Sequence, residues 1–127
     1  MLKDDLYFIQ NIFAENNSVE AIITLNSKHS IFEGHFPSQP VLPGVCMMQM
    51  TKEILETALI IKLQLSKADD IRFSSMIIPD GKELLFSIQY KTNEENVLQV
   101  VAKITKEETI CFKMKATFIL VQQNAVQ

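Results

Sequence analysis

His35 is the residue around which chemistry can be built. It sits in Gly34-His35-Phe36-Pro37-Ser38-Gln39-Pro40-Val41-Leu42-Pro43-Gly44, a stretch holding three of the chain's four prolines and two of its three glycines. Prolines fix their own φ and push the preceding residue out of the helical region, so this backbone follows a set, extended path. Gly44 then lets the chain swing into an apolar segment of helical character opening at Val45. A histidine on a stiff arm beside the unpaired N–H groups of a helix start combines a base titrating near neutrality with donors for a developing negative charge. The same histidine equally suits a hydrogen-bonded loop residue, and Gly44 equally suits a plain turn. A short helical turn is expected near Ile31-Phe32.

The elements that must hold this loop follow from periodicity. From Val45 to about Leu63 there is no proline or glycine, and Gln49, Lys52, Glu53 and Glu56 recur at helical spacing. They form one polar stripe, while Met47, Met48, Met50, Ile54, Leu55, Ala58, Leu59 and Ile61 cover the remaining circumference of a mostly buried helix. Roughly 18 residues at about 1.5 Å each make it about 27 Å long. Leu6–Ala14 and Val19–Leu25 read as strands around a turn at Glu15-Asn16-Asn17-Ser18. After a break at Ser66-Lys67-Ala68-Asp69-Asp70, Ile71–Ile78 reads as a strand stopped by Pro79-Asp80-Gly81; Glu83–Lys91, Val97–Thr105 and Thr109–Val121 complete the set. Short connections predict antiparallel pairing, and about six strands with one long helix give an α+β domain whose curved sheet wraps the helix.

With 127 residues the chain is expected to form a single domain, 1–127. Its net charge of −3 argues against a nucleic-acid partner, which needs a basic surface. Met1-Leu2-Lys3-Asp4-Asp5 lacks the basic then apolar order of an export signal, and the apolar runs are too interrupted to span a membrane, so a cytoplasmic protein is expected. Cys46 and Cys111 read as small buried thiols; Cys46 at the helix start could be imagined as a nucleophile, but no histidine is tied to it by spacing. His29 and His35 lack the companions of a zinc site and no phosphate loop is present, so no metal or cofactor is expected.

The motif His29-Ser30-Ile31-Phe32-Glu33-Gly34-His35-Phe36-Pro37, followed by Pro40-Val41-Leu42-Pro43-Gly44-Val45, resembles the signature of the β-hydroxyacyl-acyl-carrier-protein dehydratases of the FabA/FabZ type. That resemblance implies a hotdog fold and a dimer joined edge to edge, with active sites between subunits. It also implies a substrate thioester carried on acyl carrier protein or CoA. His35 falls at the family's histidine, Gly44 at the glycine whose N–H meets the thioester carbonyl, and Phe36, Pro43, Val45, Glu53, Arg72 and Phe73 at substrate contacts. The family's catalytic carboxylate lies fourteen residues beyond the histidine, where this chain has Gln49. An amide has no proton to give at neutral pH, and loss of an acid–base partner costs about 10²–10⁴ in rate.

Glu53, where many relatives have glutamine, makes the pair look like carboxylate and amide exchanged across one helical turn, although membership of a polar stripe with Lys52 and Glu56 explains it more simply. A second departure is at Arg72-Phe73-Ser74-Ser75: serines replace basic residues that the resemblance assigns to carrier docking, with Lys62, Lys67 and Lys82 as possible substitutes. Met47, Met48, Met50 and Met76 are expected to pack around an acyl tunnel or in the core. Three readings follow: a 3-hydroxyacyl thioester dehydratase working as a homodimer or larger homo-oligomer with Gln49 in the carboxylate's place, an incomplete subunit pairing with an active paralogue, or a hotdog thioesterase using the amide to position water.

Overall fold

The computed structural model describes residues 1–33 and 40–121; His35 and Phe36, within 34–39, lie outside the described residues. β1 (Tyr7–Glu15) and β2 (Ser18–Leu25) form a hairpin whose Asn16 and Asn17 take φ of 51° and 63°. Two consecutive left-handed residues match the right-handed twist of the strands, and asparagine tolerates that region better than most side chains. A 3-10 turn at Ser30–Phe32 follows, as expected, its first N–H groups capped by His29, whose Nδ1 accepts from Ile31 N at 3.0 Å.

α1 spans Gly44–Leu59, 16 residues rather than the 18 or so expected, and so is not the long helix read from the sequence. It stops because Ile60 turns left-handed, at φ 56° and ψ 54°, and Ile61 N closes back on Glu56 O at 3.2 Å. The Glu56 carboxylate then accepts from Leu63 N at 2.8 Å and starts the next strand. Without a glycine or proline at this point, residue type carries no stop signal.

β3 (Leu63–Phe73) corrects the reading of its region: Ser66–Asp70 is strand, and Ser74–Ile78 is not. Register shifts between Leu65 and Lys67 and between Ala68 and Asp70 break the alternation, and β3 is an edge strand, exposed over most of its length. Polar residues and bulges are how an exposed edge avoids pairing indiscriminately, and they also erase the period-two signal. The turn at Pro79-Asp80-Gly81 does form, with Gly81 at φ 85° and Asp80 accepting from Lys82 N at 3.1 Å and Lys106 Nζ at 2.7 Å. β4 (Leu84–Glu94), β5 (Val97–Lys106) and β6 (Thr109–Leu120) close the sheet in the order β1-β2-β4-β5-β6-β3, all antiparallel.

Alternation on β2, β5, the first half of β4 and β6 beyond Cys111 sends Val19, Ala21, Ile23, Phe86, Ile88, Val100, Ala102, Phe112, Met114 and Phe118 to one face, where they bury against Cys46, Met47, Met50, Ile54 and Leu55 of α1. Cys46 and Cys111 are both buried and unbridged, as read. Met76 is 75% exposed and so is not part of the core of the single chain. Among the described residues no helix is long and apolar enough to cross a membrane.

Candidate active site

The start of α1 is open. Pro43 precedes it in an extended conformation with no side-chain cap, and no acidic residue occupies the first turn. Its first N–H groups are thus the electropositive end of a helix with no carboxylate of its own to satisfy them. Gly44 lets the Phe73 ring sit close: a Cβ at this position would stand 2.5 Å from that ring, which arches over the helix start from β3 and lies 5.4 Å from the Phe112 ring, centroid to centroid, so a larger residue would push the exposed ring aside. Gly44 and Phe73 are therefore neighbours. Arg72, by contrast, points to the opposite face of the sheet, its Nε 3.5 Å from Asp70. Val45 is exposed and Pro43 half-buried.

Two turns into α1, the sequence reading needs a larger correction. Glu53 is not part of a solvated stripe: it is fully buried. Its Oε1 accepts from Lys3 N at 2.9 Å and Tyr7 Oη at 3.0 Å, and its Oε2 from Leu2 N at 2.9 Å and Gln49 Nε2 at 2.8 Å. Four donors fill the acceptor capacity of a carboxylate. Burial pushes the Glu53 carboxyl up, but the bonds from Leu2, Gln49, Tyr7 and Lys3 together outweigh it and hold the group below the usual carboxylate range. Glu53 is consequently ionised at neutral pH and holds no proton for a leaving group. Tyr7 is pushed well above the usual phenol range by burial, then by the charge and hydrogen bond of Glu53, so it remains a fixed donor.

Gln49 is the other half of this arrangement. Because an ionised Glu53 only accepts, the Gln49 amide must turn Nε2 toward it, which leaves Oε1 without a donor among the described residues. Gln49 also lines a pocket of about 200 Å³ with Val45, Met48, Leu65, Met114 and Phe118, a mostly apolar space between α1 and the edge of the sheet. The position that the resemblance assigns to a proton donor therefore presents a hydrogen-bond acceptor next to an apolar pocket.

The sequence reading missed Tyr7 and the backbone of Leu2 and Lys3 as the surroundings of Glu53. The available signals were a tyrosine in the run Leu6-Tyr7-Phe8-Ile9, whose hydroxyl needs a partner when buried, and a glutamate between buried Met50 and Ile54. The expected helpers for carrier docking are spoken for in two cases of three: Lys67 pairs with Asp69 at 3.4 Å and Lys82 with Glu107 at 3.2 Å. Among the described residues no group of histidine, cysteine and carboxylate side chains could hold a metal ion.

A family model described as the ApeI dehydratase matches residues 11–115, from the middle of β1 to the middle of β6. The chain belongs to the ApeI-like dehydratase family. Within the same broad group, it is 32% identical over 98 residues to the 3-hydroxyacyl-[acyl-carrier-protein] dehydratase FabZ of Syntrophomonas wolfei, covering 71% of this chain and 67% of that protein. It is 24% identical over 102 residues to FabZ of Petrotoga mobilis, covering 73% and 70%. Among solved structures, the dehydratase heterocomplex ApeI:P from Xenorhabdus doucetiae superposes with a TM-score of 0.71 at 20% identity, covering 88% of this chain and 96% of that one. The fold is thus the hotdog of the FabA/FabZ-type dehydratases, with a six-stranded antiparallel sheet and one helix.

Proposed function

We propose that this chain is one half of a 3-hydroxyacyl thioester dehydratase: a subunit that supplies histidine and helix N-terminus and draws its acid from a second hotdog subunit. The observation that carries this reading is the bond from Gln49 to a Glu53 already saturated by Leu2, Lys3 and Tyr7, because it leaves no free carboxyl group within a turn of position 49, and Glu56, two turns on, is held by Lys52 and Leu63 N. In the elimination, His35 removes a proton from Cα, the Gly44 N–H donates to the thioester oxygen as enolate charge develops, and the carbon–oxygen bond at Cβ breaks as an acid of the partner protonates the departing hydroxide to water. The product is a trans-2-enoyl thioester, and the proton on His35 returns to the partner carboxylate or to solvent. Phe36, Pro43, Val45 and Phe73 line the thioester's approach.

Support for a two-protein assembly comes from the solved neighbour being a dehydratase heterocomplex, and from the exposed edge β3, which has one hydrogen-bonded neighbour and is open to a second strand. The acyl carrier thioester as substrate rests on the names of the FabZ relatives. A cytoplasmic location is part of the same proposal.

The test is complementation. Co-expressed with a FabZ-type paralogue carrying the helix carboxylate but with its own histidine replaced, this chain should give a heteromer that forms enoyl product, and His35→Ala in this chain should abolish it. A heteromer that stays inactive, or activity indifferent to His35→Ala, would contradict the proposal. Release of free thiol from an unhydroxylated acyl thioester would move the assignment to hydrolysis.

A further inference from the structure

The face of the sheet turned away from α1 carries a feature that neither the core nor the reaction uses. The strand registers line up Glu20 on β2, Ser87 on β4, Lys103 on β5, Lys113 on β6 and Arg72 on β3 as one continuous row across five strands. Lys113 thus stands directly opposite a cation on each side, and Lys115 follows two residues along, opposite Val101 and Asp70. Like charges placed directly across a ladder destabilise the sheet. Among the described residues, the carboxylates near the row are Asp70, 3.5 Å from Arg72 and opposite Lys115, and Asp69, which is taken by Lys67 at 3.4 Å; Glu20 is two strands from Lys103, with Ser87 between them.

The contrast with other cations of the chain is clear. Lys52, Lys67, Lys82 and Lys106 each pair with a carboxylate, at 3.8, 3.4, 3.2 and 2.7 Å. Lys103, Lys113 and Lys115, all exposed, make no ion pair among the described residues, although the chain as a whole has a net charge of −3. Between them and Arg72 runs a groove of about 440 Å³ whose floor includes Ser87 and Gln89.

We infer that this cationic face is the docking surface for the acidic protein that presents the acyl thioester, a partner whose carboxylates turn the repulsion within the row into attraction. The inference deepens the dehydratase reading and takes the carrier from it; the location comes from the structure. Ser74 and Ser75, where the resemblance places basic residues, instead bind their backbone N–H groups to Cys111 O at 2.8 and 3.3 Å and offer no charge. Arg72 and Phe73 are the last two residues of β3, one closing the cationic row and the other lying over Gly44, so a carrier seated on the row ends at the C-terminal end of that strand, beside the start of α1, and leaves its hydrogen-bonding edge to a partner strand. Charge complementarity of this kind governs encounter and specificity.

The test is direct binding of a fluorescently labelled holo acyl carrier protein, read by anisotropy at two salt concentrations, with thermal unfolding of each variant in parallel. Lys113→Glu replaces two cross-strand repulsions with two attractions, so it should raise the melting temperature while weakening carrier binding about 10-fold and flattening its salt dependence. Lys103→Glu should weaken binding similarly, and Lys62→Glu, the same charge change at the far end of α1, should not. Unchanged affinity in Lys113→Glu and Lys103→Glu, an equal loss in Lys62→Glu, or no carrier binding by the wild type overturns the inference. A change in oligomer mass with carrier affinity intact also overturns it and assigns the face to a second copy of the chain. Carrier binding that behaves as expected in a protein inactive even with a partner subunit keeps the docking surface and removes the reaction instead.

Discussion

Glu53→Ala is expected to lower stability by about 3–5 kcal/mol, a fall of about 10–20 °C in melting temperature for a domain of this size. The loss has little to do with charge attraction, since none of the four partners is a cation. It arises because Leu2 N, Lys3 N, Tyr7 Oη and Gln49 Nε2 all lose their acceptor at once, and the buried Tyr7 hydroxyl has no water to turn to. The first residues of the chain are tied to α1 through this one side chain. Proteolysis near Met1–Lys3 should therefore accelerate in the variant before the rest of the sheet opens. Glu53→Gln keeps the shape but turns an N–H toward a donor, so it should fall between wild type and alanine.

The pH dependence follows with a definite sign. The folded-state pKa of Glu53 lies below its ordinary value of 4.5, so its contribution is complete above that value and disappears as pH falls through the lowered one. Denaturation curves of wild type and Glu53→Ala should therefore differ widely at pH 7 and converge in acid. Tyr7 acts at the other end. Its raised pKa means that stability is lost once the pH climbs above the ordinary phenol value of 10.0, where the unfolded chain ionises and the folded one resists.

The second large effect concerns activity. Restoring the carboxylate at position 49 should let the chain turn over a 3-hydroxyacyl thioester by itself, with a gain of about 10²–10⁴ over wild type, the usual contribution of a placed acid. The single change Gln49→Glu should do this poorly, because it removes a donor from Glu53 and sets a second carboxylate against it at a distance now held at 2.8 Å by a hydrogen bond. One of the two must then take up a proton, and the pair titrates as a unit. The double exchange Gln49→Glu/Glu53→Gln keeps an amide–carboxylate pair with its polarity reversed. It should be the more active variant, at some cost in stability where the new amide N–H meets the Leu2 or Lys3 N–H. The measurement is enoyl formation by mass for wild type, single and double variants. Equal rates for all three would mean that position 49 does not limit the reaction.

How far the sequence could be read depended on which force sets each element. Hairpins at Asn16-Asn17 and the alternating strands β4, β5 and β6 were legible because turn chemistry and a buried face impose local patterns. β3 was not: an exposed edge with two bulges has no buried face to impose a period. The end of α1 at Ile60 was likewise hidden, since an isoleucine takes the left-handed cap position that glycine usually fills, and Leu63 N then donates to the Glu56 carboxylate. At the site, that Gln49 falls where the resemblance places an acid was visible by counting from His35. The burial of Glu53 was not, because spacing alone places it with Lys52 and Glu56, and only the packing of Tyr7 and the chain's first residues over α1 removes it from water. His35 and Phe36 lie outside the described residues, so their roles rest on the family relationship.

The central claim is that this chain has a dehydratase's scaffold without an acid of its own. The most direct measurement is single-turnover conversion of a 3-hydroxyacyl thioester on acyl carrier protein by the purified wild type alone, compared with His35→Ala and followed by the mass of the enoyl product. The account predicts no enoyl formation by the wild type above the His35→Ala baseline, and clear formation once a carboxylate-bearing partner subunit is added. Turnover by the wild type alone that disappears in His35→Ala would contradict it, and would mean that Gln49 suffices where an acid was thought necessary.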